Sequence, residues 1–167
     1  MASSLPISLL LHTLLLFAVP ISSYPLGSIC KQAKNPNFCY NLLQPHANAN
    51  LQDLDQFVID ATAASAAKTS SKIQSLLPQT SDPNLKVVYT FCSNYYSAAL
   101  GALAAAREKL RARAFRDVKS AADTVSGDAD ACRKAFAMAP SQPIAIAGDN
   151  NEFELLSNVF VVVSGKL

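Results

Sequence analysis

The sequence lacks the residue patterns that most enzymes use. It has no H-E-x-x-H, no G-x-S-x-G, no P-loop and no glycine fingerprint of a dinucleotide-binding fold. His46 is the only histidine downstream of residue 23, and we interpret it as a solvated loop residue. Asp53, Asp55 and Asp60 have the spacing of a polar helix face, so we do not interpret them as an acid–base pair. We therefore expect a protein that is not an enzyme and that needs no cofactor.

Excess charge and metal ligands are scarce as well. The 14 Lys and Arg residues against 12 Asp and Glu leave a formal net charge of +2. That excess is too small to indicate a nucleic-acid partner. No C-x-x-C pair occurs and histidine is nearly absent, so we predict no metal site. There is no Asn-x-Ser/Thr sequence, and N-glycosylation is therefore not expected.

Charge is also missing from the first 23 residues. They hold an apolar run from Leu9 to Val19, followed by the small residues Ser22 and Ser23. The run is shorter than the ~20 residues that span a bilayer, so a secretory signal peptide is favoured over a membrane anchor. We predict a signal peptide over residues 1–23 and one domain over residues 24–167, in an extracellular protein without a membrane partner.

All four cysteines follow the predicted cleavage site: Cys30, Cys39, Cys92 and Cys132. Thiols in a secreted chain usually pair, so we predict two disulfides, for which three pairings exist. If Cys92 and Cys132 join neighbouring antiparallel helices, the turn between those helices lies near their midpoint, Ala112. No Gly or Pro marks a turn in that stretch.

The mature sequence is rich in helix-forming residues and poor in alternating β-branched runs, which predicts an all-helical fold. Asn35-Pro36 has the form of an N-cap followed by the first helical residue, so two short helices are expected over residues 26–34 and 36–44. Longer helices are predicted over residues 51–77, 83–110, 115–139 and 151–163. The small residues from Ser97 to Ala106 either pack closely against another helix or present a flat face to a partner.

A basic stretch lies between the second and third of these long helices. It contains six cations: Arg107, Lys109, Arg111, Arg113, Arg116 and Lys119. Glu108 and Asp117 offset two of them. The stretch is either a solvated end of the helical bundle or a contact for an acidic polysaccharide or an acidic enzyme surface.

Several segments match one known family. They are "CKQAKNPNFCYNLL", "CSNYYSAALGAL", "SAADTVSGDADAC" and the apolar "ELLSNVFVVVSGKL". Over essentially the whole mature chain, the sequence resembles the plant inhibitors of pectin methylesterase and invertase. The resemblance implies an antiparallel up-down four-helix bundle with a protruding N-terminal helical hairpin. It also implies the disulfides Cys30–Cys39 and Cys92–Cys132.

The resemblance also implies where a partner is bound. Members of the pectin-esterase branch lay bundle helices across the substrate cleft of their enzyme. Carried over by position, the contact residues are Asn94, Ala98 and Gly101 beside the third cysteine, and Ala131, Arg133 and Lys134 beside the fourth. The acidic side chains usual in the family are absent here, and "CRKAF" is basic where the family is usually acidic. Charge reversal at an interface disfavours the original partner.

We expect a secreted inhibitor of pectin methylesterase that acts in the plant cell wall by steric occlusion of the active-site cleft. The Pro-Lys-Phe of many invertase inhibitors is missing, which favours the esterase. One alternative is inhibition of cell-wall or vacuolar invertase. Another is a non-inhibitory cell-wall protein that binds acidic pectin through residues 107–119.

Overall fold

Helices account for all regular structure in the computed structural model, which describes residues 25–139 and 144–167. The predicted signal peptide lies outside the described residues. Single 3₁₀ turns extend α2 and α3, at Gln44–His46 and Leu77–Gln79. The six α-helices are α1 (Leu26–Cys30), α2 (Pro36–Leu43), α3 (Leu51–Leu76), α4 (Pro83–Arg111), α5 (Phe115–Ala137) and α6 (Ile144–Ser164).

The four long helices form an antiparallel up-down bundle. Each packs against the next along the chain, and α3 also packs against α6, which closes the bundle. Short connections join α3 to α4 and α4 to α5, and such connections make neighbouring helices antiparallel. Side chains from all four helices fill the core, among them Val58, Tyr96, Leu103, Val125 and Phe160. The predicted fold class is confirmed.

The turn between α4 and α5 lies where the cysteine spacing placed it, at residues 112–114. The Ala114 amide donates to the Lys109 carbonyl at 2.9 Å and closes the turn. Arg113 has a φ of 55° and is the single non-glycine residue with positive φ among those the structure describes. This conformation costs an L-residue free energy that glycine would not lose, so the turn forms without the residue that best suits it.

Both disulfides have the pairing that the resemblance implies. Cys30 and Cys39 join α1 to α2, and Cys92 and Cys132 join α4 to α5. All four cysteines are buried. On the chain-entropy model, the second bridge closes the longer loop and stabilises the fold by about 4 kcal/mol, against about 2.5–3 kcal/mol for the first.

The N-terminal hairpin forms where its sequence predicts, except that α1 ends at Cys30 rather than at residue 34, and it lies against the bundle rather than standing free. The Asn35 side chain accepts a hydrogen bond from the Phe38 amide, and Pro36 is the first helical residue of α2. The Lys34 amide donates to Asn158 Oδ1 of α6 at 2.7 Å, and its ammonium lies 3.0 Å from Glu154 Oε1. These contacts anchor the hairpin to α6.

The helix α6 begins at Ile144, seven residues before the predicted start at Asn151. The prediction was wrong because Gly148, Asp149 and Asn150 have poor helix propensity. Tertiary contacts override it: Asp149 lies 2.8 Å from Lys68 and 2.6 Å from Lys72 of α3. Asn150 Oδ1 accepts a hydrogen bond from the Tyr96 hydroxyl at 2.9 Å.

Two single-residue expectations also need correction. Asp55 is fully buried, whereas Asp53 and Asp60 are exposed, so the three carboxylates do not share a polar face. His46 is half-buried, and its ring lies 3.8 Å from that of Phe57 between centroids. Phe57, an aromatic neighbour that sequence spacing does not reveal, covers part of this histidine.

Candidate functional site

Helices α4 and α5 present two exposed stripes that run side by side. Residues spaced by three and four along a helix share a face. Every residue in the two stripes is exposed except Ala131, which is half-buried. We call this surface the α4/α5 face; it consists of Val87, Phe91, Asn94, Ala98 and Gly101 of α4 with Gly127, Ala131, Lys134 and Met138 of α5 and its C-cap.

The disulfide Cys92–Cys132 sets the register between these stripes. Since the helices are antiparallel, a residue shortly after Cys92 lies opposite one shortly before Cys132. Ala98 therefore lies near Gly127, and Asn94 near Ala131. The stripes meet directly at one end, in a groove of about 300 Å³ lined by Phe91, Tyr95, Ala131, Lys134, Ala135 and Met138.

Small side chains keep the middle of the α4/α5 face flat. A Cβ atom added at Gly101 or Gly127 would meet no heavy atom within 4 Å, and neither residue has a positive φ. The fold therefore requires glycine at neither position for space or for conformation. Each costs about 1 kcal/mol relative to Ala in a helix interior. A partner that approaches the backbone closely would account for both.

Apolar side chains lie at one end of this face. Val87 is 54% exposed, Phe91 is 53% exposed and Met138 is 80% exposed. Together with Tyr40 on the hairpin, they are the large hydrophobic side chains that the described part of the chain exposes. A cluster of this kind is typical of a protein-binding surface. None of the three was predicted from the sequence, although Phe91 and Val87 precede Asn94 by three and seven residues on the same stripe.

The basic residues of "CRKAF" have their counter-charge within α5. Lys134 Nζ lies 2.6 Å from Asp130 Oδ2, and Arg133 lies 2.5 Å from Asp130 Oδ1. Hydrogen bonds from Lys134 and then Arg133 lower the pKa of Asp130 to about 2. The carboxylate therefore stays charged in mildly acidic solution, and the two cations are not free charges on the surface.

Of the six contact residues that the resemblance implies, five lie on the α4/α5 face and Arg133 does not. Its Nε atom lies 3.3 Å from Glu154 Oε2 of α6. It also lines a separate cleft between α5 and α6, with Asn150 and Asn151. Glu154 links Arg133 to Lys34, so Arg133 helps to hold the hairpin against the bundle.

The described residues offer neither a metal site nor a membrane-spanning helix as an alternative to this face. Residues 25–139 and 144–167 contain no group of three His, Cys, Asp or Glu side chains that could hold a metal ion. Within those same ranges, no helix combines the length and apolar character that crossing a membrane requires. Asp55 has the most unusual environment of the acids, but it is buried inside the bundle.

Comparison with known proteins agrees with this picture. Residues 26–161 match the family model described as plant invertase/pectin methylesterase inhibitor. A pectinesterase inhibitor from Actinidia deliciosa is 32% identical, over 99% of this chain and 95% of its own length. Pectinesterase inhibitor 1 from Arabidopsis thaliana is 28% identical, over 88% of this chain and 84% of its own.

Solved structures agree as well. The crystal structure of mutant form A of a pectin methylesterase inhibitor from Arabidopsis superposes with a TM-score of 0.79 at 28% identity. The match covers 85% of this chain and 96% of that one. A second crystal structure of a pectin methylesterase inhibitor from Arabidopsis thaliana gives a TM-score of 0.68 at 28% identity, over 85% of this chain and 95% of that one.

The chain belongs to the plant invertase/pectin methylesterase inhibitor family, as its sequence resemblance indicates. Membership in a family of inhibitors confirms the expectation that the chain is not an enzyme.

Proposed function

We propose that this chain is a secreted inhibitor of pectin methylesterase and that its α4/α5 face covers the substrate cleft of the enzyme. The observation that carries the proposal is the pair of open, helix-interior glycines, Gly101 and Gly127, on a face that ends in exposed Phe91 and Met138. Neither the two glycines nor the two exposed apolar side chains stabilise the fold. The names of the relatives support the esterase as the target.

Inhibition would be steric. Two helices joined by Cys92–Cys132 form a rigid surface, so little conformational entropy is lost when a partner binds. The flat middle of the face allows close backbone approach. Phe91 and Met138 then leave water, and large apolar side chains contribute about 1.5–3 kcal/mol each when fully buried.

A direct assay tests the target. Oxidised protein spanning residues 24–167 is titrated against several plant pectin methylesterases and against cell-wall and vacuolar invertases, at protein concentrations up to about micromolar. We expect stoichiometric loss of esterase activity and unchanged invertase activity. Inhibition of invertase alone would replace this proposal with the invertase alternative, and no inhibition of either class would refute both.

Secretion needs its own measurement. The full-length chain is expressed in plant cells with a C-terminal fluorescent tag, and the N-terminus of the extracellular product is sequenced. We expect wall-associated fluorescence and a mature N-terminus near residue 24. Retention of the first 23 residues, or an intracellular signal, would contradict the predicted signal peptide.

A further inference from the structure

Ion pairing divides the cations of this chain into two groups. Eight of the 14 Lys and Arg side chains form ion pairs with carboxylates. The other six form none with any described residue. Three of them are scattered over the molecule: Lys31 on the hairpin, Lys86 at the start of α4 and Lys166 at the C-terminus. The remaining three are close together: Arg113, Arg116 and Lys119.

Two acids beside this cluster are already engaged, and Asp123, four residues after Lys119, forms no ion pair with a described residue. Glu108 lies 2.8 Å from Arg111, and Asp117 lies 3.5 Å from Lys109 across the turn. Arg107, the first cation of the basic stretch, lies 2.7 Å from Asp60 of α3. The three unpaired cations therefore leave a local excess of positive charge at the end of the bundle, and all three are exposed.

The fold loses free energy by placing these three residues here, through the backbone at Arg113 and through charge at Arg116 and Lys119. Arg113 has its backbone in the left-handed region, where glycine is favoured. Arg116 and Lys119 lie in the first two turns of α5, where the helix dipole is positive and cations are unfavourable. Three unpaired cations in such positions are better explained by an external anion than by the stability of the bundle.

We infer that Arg113, Arg116 and Lys119 bind an acidic polysaccharide, a chain of uronate units such as de-esterified pectin. An extended polymer with a carboxylate on each unit can contact several exposed cations at once, and it needs no enclosed pocket. Hydrolysis of a methyl ester leaves a carboxylate, so the polymer that pectin methylesterase produces is the polyanion and its substrate is not. Binding of the polysaccharide does not depend on the proposed function. Only its link to pectin methylesterase rests on the proposed function.

The cationic cluster is far from the α4/α5 face contacts near the fourth cysteine. Arg116 and Lys134 are separated by 18 residues of one helix, about 27 Å at 1.5 Å per residue. A polysaccharide at one end of the bundle therefore leaves the other end free for an enzyme. Such an inhibitor would accumulate where esterase activity has already made carboxylates.

The test measures retention of oxidised protein, residues 24–167, on immobilised polygalacturonate, on highly methyl-esterified pectin and on phosphatidylserine vesicles. We expect retention on polygalacturonate that decreases with added salt and with methyl esterification. Equal retention on the esterified polymer, or insensitivity to salt, would overturn the inference. Binding to vesicles without retention on polygalacturonate would overturn it as well.

A matched pair of variants separates a local site from net charge. Arg116→Gln/Lys119→Gln and Lys31→Gln/Lys86→Gln each remove two unpaired cations and leave the same net charge. We expect the first to weaken retention by at least roughly fivefold and the second by less than about twofold. Equal losses would show that overall charge, not this cluster, determines retention.

A third variant should change retention on polygalacturonate in the opposite direction. Asp123 lies one turn after Lys119 and forms no ion pair with a described residue, so Asp123→Asn should strengthen retention; weaker retention would count against the cluster. Inhibition of pectin methylesterase in solution should be unchanged in Arg116→Gln/Lys119→Gln. Retention without any esterase inhibition by the wild type would refute the proposed function and leave this inference intact.

Discussion

Lys134 Nζ lies 2.6 Å from Oδ2 of Asp130, the residue one turn earlier on α5, and Arg133 contacts the other oxygen of the same carboxylate. In the sequence, "CRKAF" has the appearance of a charge reversal at a partner-binding helix. In the folded protein, the two cations and Asp130 form a local cluster that also contacts Glu154. A partner that approaches this part of α5 would therefore meet a partly neutralised surface.

This pairing predicts weak dependence of inhibition on salt. Between about 0.05 and 0.5 M NaCl, we expect the half-inhibitory concentration of the wild type to change by less than about threefold, because little free charge lies on the α4/α5 face. Asp130→Asn leaves Lys134 and Arg133 without this partner and should steepen the dependence. A steep salt dependence in the wild type, or no change in Asp130→Asn, would contradict the role given to Asp130.

The open glycines predict a separation of stability from binding. Gly127→Gln adds a long neutral side chain to the α4/α5 face, while Gly148→Gln adds the same group to α6, where a Cβ also meets nothing within 4 Å. Both variants should be more stable in urea by up to about 1 kcal/mol. Only Gly127→Gln should weaken esterase inhibition, by at least about tenfold. Equal inhibition by the two variants would exclude Gly127 from the contact.

The exposed apolar cluster makes a similar prediction. Phe91→Ala removes a half-exposed ring from the α4/α5 face, and Tyr40→Ala removes one of similar exposure from the hairpin. We expect both to change the free energy of unfolding by less than about 1 kcal/mol, since neither side chain is in the core. Inhibition should weaken at least about tenfold for Phe91→Ala alone. Loss of inhibition in Tyr40→Ala instead would move the contact to the hairpin.

Asp55 predicts a pH dependence of stability. Its carboxylate is buried and accepts no hydrogen bond from the described residues, and this burial raises its pKa to about 7. In the unfolded chain the same carboxyl has its ordinary pKa of 3.8. Between these pH values the folded state binds more protons at Asp55, so the contribution of this residue to stability is highest in acid and falls as the pH rises toward 7.

Urea unfolding from about pH 4 to pH 8 checks this sign. In the wild type, the free energy of unfolding should fall by on the order of 2–4 kcal/mol over this range because of Asp55. In Asp55→Asn most of this fall should be absent, and the variant should be more stable than the wild type at neutral pH. Asp123→Asn, in which an exposed and unpaired carboxylate is replaced, is the control and should behave as the wild type does. Wild-type stability that rises steadily from pH 4 to pH 7 would refute the assignment to Asp55.

The turn between α4 and α5 offers a stability gain. Arg113→Gly places in the left-handed conformation the residue that adopts it at least cost, so the free energy of unfolding should rise by about 1 kcal/mol. Arg111→Gly, two residues earlier in the last turn of α4, should instead destabilise the protein by a similar amount. A destabilised Arg113→Gly variant would show that the arginine side chain stabilises the turn.

The helix starts and the turn that could be predicted from the sequence depend on local interactions or on a disulfide. Asn35-Pro36 and Asp82-Pro83 each pair a capping side chain with a proline suited to the first helical position, so the starts of α2 and α4 were predictable. The turn near Ala112 followed from the cysteine spacing once Cys92 and Cys132 were taken to join neighbouring antiparallel helices. Each of these features depends on residues that are near in sequence or on one covalent link.

Features that depend on packing between helices were not predictable in this way. The early start of α6 depends on Lys68 and Lys72 of another helix, and the neutralised cations depend on which side of α5 they occupy. Burial of Asp55 contradicts its polarity, and exposure of Phe91 contradicts its hydrophobicity. The last two departures concern buried charge and exposed apolar surface, where the preferences of single residues predict the wrong environment.

Hydrogen–deuterium exchange on the oxidised protein, with and without excess pectin methylesterase, tests the central claim most directly. We predict slower amide exchange in residues 87–101 and 124–138 on complex formation, together with loss of esterase activity. Exchange in the hairpin, residues 26–43, and in the basic end, residues 107–119, should stay unchanged. Inhibition accompanied by protection of those regions alone, or no complex at all, would contradict the account.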